Sequence, residues 1–437
     1  MPTSMLGLAN KAQGRKEYVF RDLYVLLNEQ YLHDCWKLIR KDAAYGVDKV
    51  SAKEYEQDLD QNIHELVEGL KRNFYHAKLV RRHYIPKPDG RQRPLGIPAT
   101  QDKLMQLAVA RILQAIYEQD FLEVSYGYRP NRSAHDAVFE LTRRLQFGGF
   151  NYVVEADIKG FFDNLDHDKL IEMLSIRLGD RRLLRLIRKW LKAGVLDTDG
   201  KVIHPTAGSP QGGLVSPVLA NVYLHYVLDL WFRDVVSRGC KGKAFMIRYA
   251  DDFVCGFDNE EDAMQFRKAL EFRLEKFGLE LAPDKTRVIK FDRSDKSGAS
   301  RFDFLGFEFH WGVDREGKDH IIRRTSRKKL RNSLQNFTQW CRQNRNLPIG
   351  ELFETLNRKL RGYYNYYAIT GNFEGINEFY YNAKRTLLKW LNRRSQRRSY
   401  NWPAFLQLLD HFKVPRPRIL HFRPPARKTP NLRWLVT

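Results

Sequence analysis

The sequence predicts an α+β fold. Stretches with strand and helix periodicity are interleaved without a βαβ rhythm, and no Gly-x-Gly-x-x-Gly fingerprint is present, which argues against a doubly wound nucleotide fold. Apolar residues make up 43% and aromatics 13% of 437 residues, enough for a large core and too many for a disordered chain. At about 100–200 residues per domain the chain should hold two to four domains. No internal repeat suggests a solenoid.

Residues 17–78 read as helices, with Leu59, Ile63, Leu66, Val67 and Leu70 at helical spacing. Tyr84 to Arg91 is a strand running into a turn, because its prolines forbid a helix interior and Asp89-Gly90 favours a hairpin; Pro94–Pro98 is its partner. A helix is expected over 102–118. Tyr152–Asp157 is a short strand ending on a carboxylate, and helices follow at 167–178 and 181–193. After the turn Gly208-Ser209-Pro210-Gln211-Gly212-Gly213, one long helix is expected from Pro217 to about Arg238. Phe245–Tyr249 and Phe253–Phe257 are apolar strands flanking Ala250-Asp251-Asp252. A helix over 260–277, a strand near 286–291, a polar loop over 292–300 and a strand over 302–309 come next. From 326 to about 395 the pattern is helical and basic, and a short helix beyond Pro403 leads into a Pro/Arg-rich tail.

The formal net charge is +23, and it is unevenly placed. Residues 310–437 hold 27 Lys and Arg against 8 Asp and Glu, whereas residues 1–309 hold 48 against 44. A near-neutral body with a basic C-terminal third suggests a polyanion-binding appendage, and nucleic acid fits better than membrane because no amphipathic anchor or prenylation cysteine is evident. Four scattered cysteines (Cys35, Cys240, Cys255, Cys341) without a Cys-x-x-Cys pair argue against a disulfide framework and suit a reducing compartment. No apolar run approaches ~18 residues, and the N-terminus lacks a secretory pattern. A bacterial-type cytoplasmic protein without a membrane partner is expected.

The chemistry should sit at the aspartates. Asp is a common turn residue, so Asp251-Asp252 alone carries little. Here, however, Tyr249 and Phe253 hold the pair in apolar surroundings, where two like charges repel unless a cation neutralises them. Asp157 ends another apolar strand. If these strands are neighbours, three carboxylates meet in a hard-oxygen site suited to Mg²⁺.

The residues around these carboxylates carry a resemblance. Tyr249-Ala250-Asp251-Asp252 resembles the palm signature of reverse transcriptases, and Glu155 to Asp163 resembles their first catalytic motif. Gly208 to Asn221 is similar to the motif lining their nucleotide pocket. Arg93–Pro98, Ser125–Pro130 and Leu305-Gly306-Phe307 resemble further blocks of the group II intron branch, and residues 358–390 resemble its thumb or maturase domain. The resemblance spans about residues 40–400, in order and at fitting spacing.

It implies a right-hand polymerase, with an antiparallel palm sheet carrying the catalytic aspartates and an α-helical thumb. The expected division is an N-terminal extension and fingers over 1–150, and a palm over 151–312 with a fingers insertion around 165–207. A helical thumb or maturase domain over 313–400 and a basic Pro/Arg-rich segment over 401–437 complete it. Asp157, Asp251 and Asp252 would be catalytic and, with the Ile158 carbonyl, would hold two Mg²⁺ ions, Mn²⁺ being a substitute. Phe162 falls at the steric gate that excludes a 2′-OH, though as a residue it also reads as core. Gln211 and Gly212 would floor the dNTP pocket, Lys87 and Arg93 would grip the triphosphate, and Lys285 stands where a proton donor to pyrophosphate belongs. Phe304, Leu305 and Gly306 would form the primer grip. The clusters Arg323, Arg324, Arg327, Lys328, Lys329, Arg331 and Arg393, Arg394, Arg397, Arg398 would contact nucleic-acid phosphates. The tyrosines between Tyr363 and Tyr367 read either as base-stacking rings or as helix core.

The partners so implied are an RNA template with a DNA or RNA primer, dNTPs and a group II intron RNA; oligomeric state is left open. Late clustered His and Cys ligands for an HNH nuclease are missing, so a short form without second-strand cleavage is expected. Lys49 stands in Gly46-Val47-Asp48-Lys49 where the family pattern has Gly. Rival readings are a splicing maturase with incidental polymerase activity and a CRISPR- or defence-associated reverse transcriptase.

Overall fold

The computed structural model describes residues 4–86, 90, 92–209, 212–295, 299–314, 316–394 and 399–421. Along the chain, β1 (Val80–Pro86) and β2 (Gln92–Ile97) pair as an antiparallel hairpin, and β3 (Tyr152–Asp157) enters a central sheet. β4 (Val195–Leu196) and β5 (Val202–Ile203) extend the first hairpin in the order β2-β1-β4-β5. β6 (Ala244–Tyr249), β7 (Asp252–Phe257) and β8 (Arg287–Lys290) complete the central sheet in the antiparallel order β6-β7-β3-β8. β9 (Phe302–Phe304), β10 (Phe307–Val313) and β11 (Asp319–Thr325) form a third, antiparallel sheet.

The period-2 alternation of β3 and β7 divides two cores. Val154, Ala156, Phe253, Cys255 and Phe257 face the larger one, shared with the N-terminal helices and helix Thr100–Tyr117. Val153 and Val254 face the other, where helix Ala134–Gly148 and β9–β11 pack. Glu155 and Asp157 lie on that second face, beyond the cover of helix Ala134–Gly148, which leaves one end of the sheet open. Side-chain caps start the flanking helices: Ser133 and Asp136 form a reciprocal box, and Asn259 accepts from the Asp262 N–H.

Several expectations are corrected. The helix expected over 217–238 is present as one helical run that begins at Ser216 and ends at Gly239, but it is widened by the π-helical segments His225–Asp229 and Phe232–Val236. The expected strand over 302–309 is a hairpin, because Leu305 (φ 51°) and Gly306 (φ 82°) turn left-handed between β9 and β10. Helix Met5–Gly14 and strand β11 were not anticipated. The division expected at 312/313 falls inside this third sheet, and the helical part begins with Arg327–Asn344, Ile349–Tyr367 and Phe373–Leu391. Helix Trp402–His411, expected in a separate terminal segment, buries Phe405 and Leu409 in the same helical core.

Candidate active site

Strand register brings the aspartates together. Asp157, the last residue of β3, stands directly opposite Asp252, the first of β7. A two-residue turn, Ala250-Asp251, joins β6 to β7 and adds the third carboxylate. Ala250 is left-handed (φ 56°), and Gly127 makes room for it: a Cβ on Gly127 would stand 2.4 Å from the Ala250 nitrogen. Burial, then the charges of Asp157, Asp251 and Glu155, pushes the Asp252 carboxyl up to about 7. Asp251 is raised by burial and Asp157, with Arg93 and Lys285 opposing.

Lys285, on the short turn Pro283–Lys285, donates from Nζ to Asp157 Oδ2 at 2.6 Å. Among the described residues no three His, Cys, Asp or Glu side chains are disposed around one metal position. The donor set still suits a hard cation: three carboxylates, two of them held protonation-prone by burial and mutual repulsion, and a lysine standing where positive charge is wanted. The bridge of Ile158 with Leu281 uses the Asp157 carbonyl and the Lys159 N–H, so the Ile158 carbonyl points to the other edge.

Phe161 is buried, while Phe162 is half-buried beside the aspartates' strand end. The Phe162 carbonyl accepts from the Ser209 N–H at 2.7 Å, which fastens Ser209 beside it. Gly208 and Gly212 are left-handed or beyond (φ 90° and 118°) and close-packed; a Cβ on Gly212 would stand 2.4 Å from the Gly96 carbonyl of β2. Arg93, exposed on β2, is near enough to act on Asp251. Lys87 and Gln211 lie outside the described residues.

Sequence reasoning missed the group beneath the turn. Arg248 is wholly buried and donates to Asp229 through Nε (2.6 Å) and Nη2 (2.5 Å), to Ser125 Oγ (2.8 Å), to Asn221 Oδ1 (3.1 Å) and to the Ala250 carbonyl (3.0 Å). The π-helical segment His225–Asp229 supplies its counter-ion. The available signal was a charged residue inside the apolar run Phe245–Tyr249.

The expected nucleic-acid residues divide. Phe304 is a core residue, 1% exposed, so its side chain is not presented to a primer. Leu305 and Gly306 form the turn itself, whose Leu305 carbonyl accepts from Tyr366 Oη at 2.7 Å. Arg323 is corrected too: it is 4% exposed, lies over the Phe139 ring and donates to the Thr370 carbonyl. Arg324 pairs with Glu374 at 2.9 Å, while Arg327, Lys328, Lys329 and Arg331 are exposed or half-exposed at the start of helix Arg327–Asn344. Arg324, Arg327, Arg331 and Arg342 line a groove of about 950 Å³ against helix Phe373–Leu391. Arg393 lies by Trp390 and Arg394 donates to the Leu347 carbonyl; Arg397 and Arg398 lie outside the described residues. The tyrosines turn inward: Tyr364 is buried, Tyr363 stacks on Phe379 at 3.8 Å, and Tyr366 and Tyr367 pack on Phe307. No helix among the described residues is long and apolar enough to cross a membrane.

Comparison with known proteins agrees with this layout. Residues 85–309 match the family "Reverse transcriptase (RNA-dependent DNA polymerase)", and residues 323–405 match "Group II intron, maturase-specific domain". The group II intron-encoded protein LtrA of Lactococcus lactis subsp. cremoris is 31% identical, over 76% of this chain and 67% of that protein. Protein YkfC of Escherichia coli K12 is 32% identical, over 67% of this chain and 83% of that protein. An uncharacterized 91 kDa protein in the cob intron of Schizosaccharomyces pombe is 41% identical, over 40% of this chain and 21% of that protein. The right-hand polymerase part and the helical part thus each find their counterpart, and the chain belongs to the reverse transcriptases that carry a group II intron maturase-specific domain.

Proposed function

We propose that this reverse transcriptase copies an RNA template into DNA from dNTPs, on a DNA or RNA primer, and that its helical part holds a group II intron RNA and assists its splicing and mobility. The observation that carries the polymerase reading is the register of Asp157 against Asp252, with Asp251 on the adjoining turn. Asp157, Asp251, Asp252 and the Ile158 carbonyl would hold two Mg²⁺ ions, or Mn²⁺ in their place. Such ions, when bound, activate the primer 3′-hydroxyl and steady the departing pyrophosphate. The chain's own residues do the rest. Arg93 and Lys87 set positive charge against the triphosphate, and Phe162 faces the sugar. Gln211 and Gly212 floor the pocket, where Gly212 allows backbone to approach backbone. Lys285, once released from Asp157, carries a proton within reach of the site. The Leu305-Gly306 turn, tied to the helical part through Tyr366, presents backbone to the primer.

In domain terms, residues 1–150 act as N-terminal extension and fingers, and the palm that starts at 151 carries a fingers insertion around 165–207. The palm runs on through β11, and the thumb begins at Arg327. The exposed cations of helix Arg327–Asn344 and the groove beside them suit an RNA backbone.

The test is primer extension on a heterogeneous RNA template with dNTPs and Mg²⁺, wild type beside D251A/D252A. Full-length cDNA from wild type alone supports the reading. No extension by either, with salt-sensitive intron RNA binding by both, replaces it with a splicing maturase.

A further inference from the structure

Tyr128 is a strained and half-exposed aromatic at the edge of this site. Its backbone is left-handed (φ 58°), a conformation a bulky L-residue adopts only when its surroundings impose it. Both neighbours impose it. Gly127 is wedged under the Ala250-Asp251 turn, and its carbonyl accepts from Asn221 Nδ2 at 2.8 Å. Arg129, 7% exposed, is locked by Glu118 (2.8 Å) and by the carbonyls of Leu122 (2.7 Å) and Ser125 (2.9 Å). Glycine would take the left-handed position without strain, so local backbone geometry gives no reason for a tyrosine here.

The ring has a specific neighbour. It meets Phe162 edge-on, centroids 6.5 Å apart and planes at 78°, and it is the more exposed of two rings on that phenylalanine, the buried Phe161 lying at 5.3 Å and 70°. Half of Tyr128 remains exposed, and Asp251, Tyr249 and Arg93 act on it electrostatically, so it stands beside the turn that carries the aspartate pair. Phe162 therefore touches both a buried ring and one projected by a strained backbone.

We propose that Tyr128 is a specificity-determining positioning residue, whose ring holds Phe162 in the orientation that rejects a ribose 2′-hydroxyl. This rests on the reading of Phe162 as the sugar gate in an active polymerase. Without the Tyr128 ring, Phe162 can swing outward, and the space then admits the extra hydroxyl. A dNTP makes no use of that space, so its incorporation suffers less than discrimination does.

The experiment measures kcat and KM for single dNTP and rNTP incorporation on an RNA template, for wild type, F162V, Y128A, Y128G and Y128F, with thermal unfolding alongside. Y128G keeps the left-handed backbone free of strain, and the thermal scan separates lost packing from lost discrimination. Losing one aromatic pair should lower the dNTP/rNTP ratio roughly 3- to 10-fold in Y128A and Y128G, chiefly through tighter rNTP KM, and Y128F should restore it. A ratio altered by F162V but not by Y128A or Y128G overturns the proposal alone. A ratio altered by none of them removes the gate reading and the proposal with it, and wild type without dNTP incorporation removes the polymerase reading as well. A fall in Y128F equal to that in Y128A also overturns it, because the hydroxyl and not the ring would then be at work.

Discussion

Arg248 donates to the carbonyl of Ala250, two residues further along, at 3.0 Å from a side chain with no exposure to solvent. The turn that carries Asp251 is thereby fastened from below by a guanidinium that Asp229 neutralises on two atoms. Removing one partner leaves the other charged and buried. R248M should cost about 3–5 kcal/mol in chemical denaturation. R248K keeps the charge without the planar fork, so it should fold better than R248M and lower kcat for primer extension more than it raises the dNTP KM.

The ammonium of Lys285 sits on the carboxylate that the polymerase reading assigns to Mg²⁺. The two cations compete for Asp157. The pair is partly exposed, so its strength is small, and K285M should lower the Mg²⁺ concentration for half-maximal extension by up to about fivefold. If Lys285 also delivers the proton, kcat falls in the same variant, and a Mg²⁺ titration of extension rates reads both effects.

His225 titrates against the fold. It is buried against Phe121 and Tyr226, and burial pushes its imidazole down to about 4. The unfolded chain takes up this proton near ~6.5, so the contribution to stability is complete above that pH and is lost as pH falls towards 4. Denaturation at several pH values should show wild type losing up to about 3 kcal/mol across this window relative to H225F, which cannot protonate.

In the helical part, exposure separates surface cations from those that support the fold. R327A/K328A/R331A should weaken single-stranded RNA binding and flatten the log K against log salt slope by about 0.7 for each phosphate left without its cation. R323A should leave that slope unchanged and lower the melting temperature, since Arg323 is spent on Phe139 and the Thr370 carbonyl. Filter binding across a salt series, with a thermal scan, distinguishes the two.

The strands that matter were legible because their chemistry is local. Tyr152–Asp157 and Phe253–Phe257 are short apolar runs with no helical rival, and Asp251-Asp252 between two such runs marks a turn whatever lies around it. The hairpin at Leu305-Gly306 was not legible, since Phe302 to Phe309 is largely apolar and its break depends on a left-handed leucine whose carbonyl Tyr366 engages from 61 residues away. The π-helical segments escaped for a similar reason: their sequence continues an α-helical pattern, and the partner of Asp229, Arg248, lies 19 residues away on β6.

The residue types of the site were readable along the chain, because carboxylates in apolar strands and an ordered set of motifs are one-dimensional properties. Burial and neighbourhood were decided by tertiary structure alone. Arg323 and Arg324 are adjacent in an identical basic context, yet one is enclosed under Phe139 and the other pairs at the surface with Glu374. Tyr128 reads as one more aromatic in a loop until Gly127, Arg129 and Phe162 surround it. Alternation along a strand sends neighbouring side chains to opposite faces, and only the packing of the sheets decides which face is closed and which is left open to a substrate.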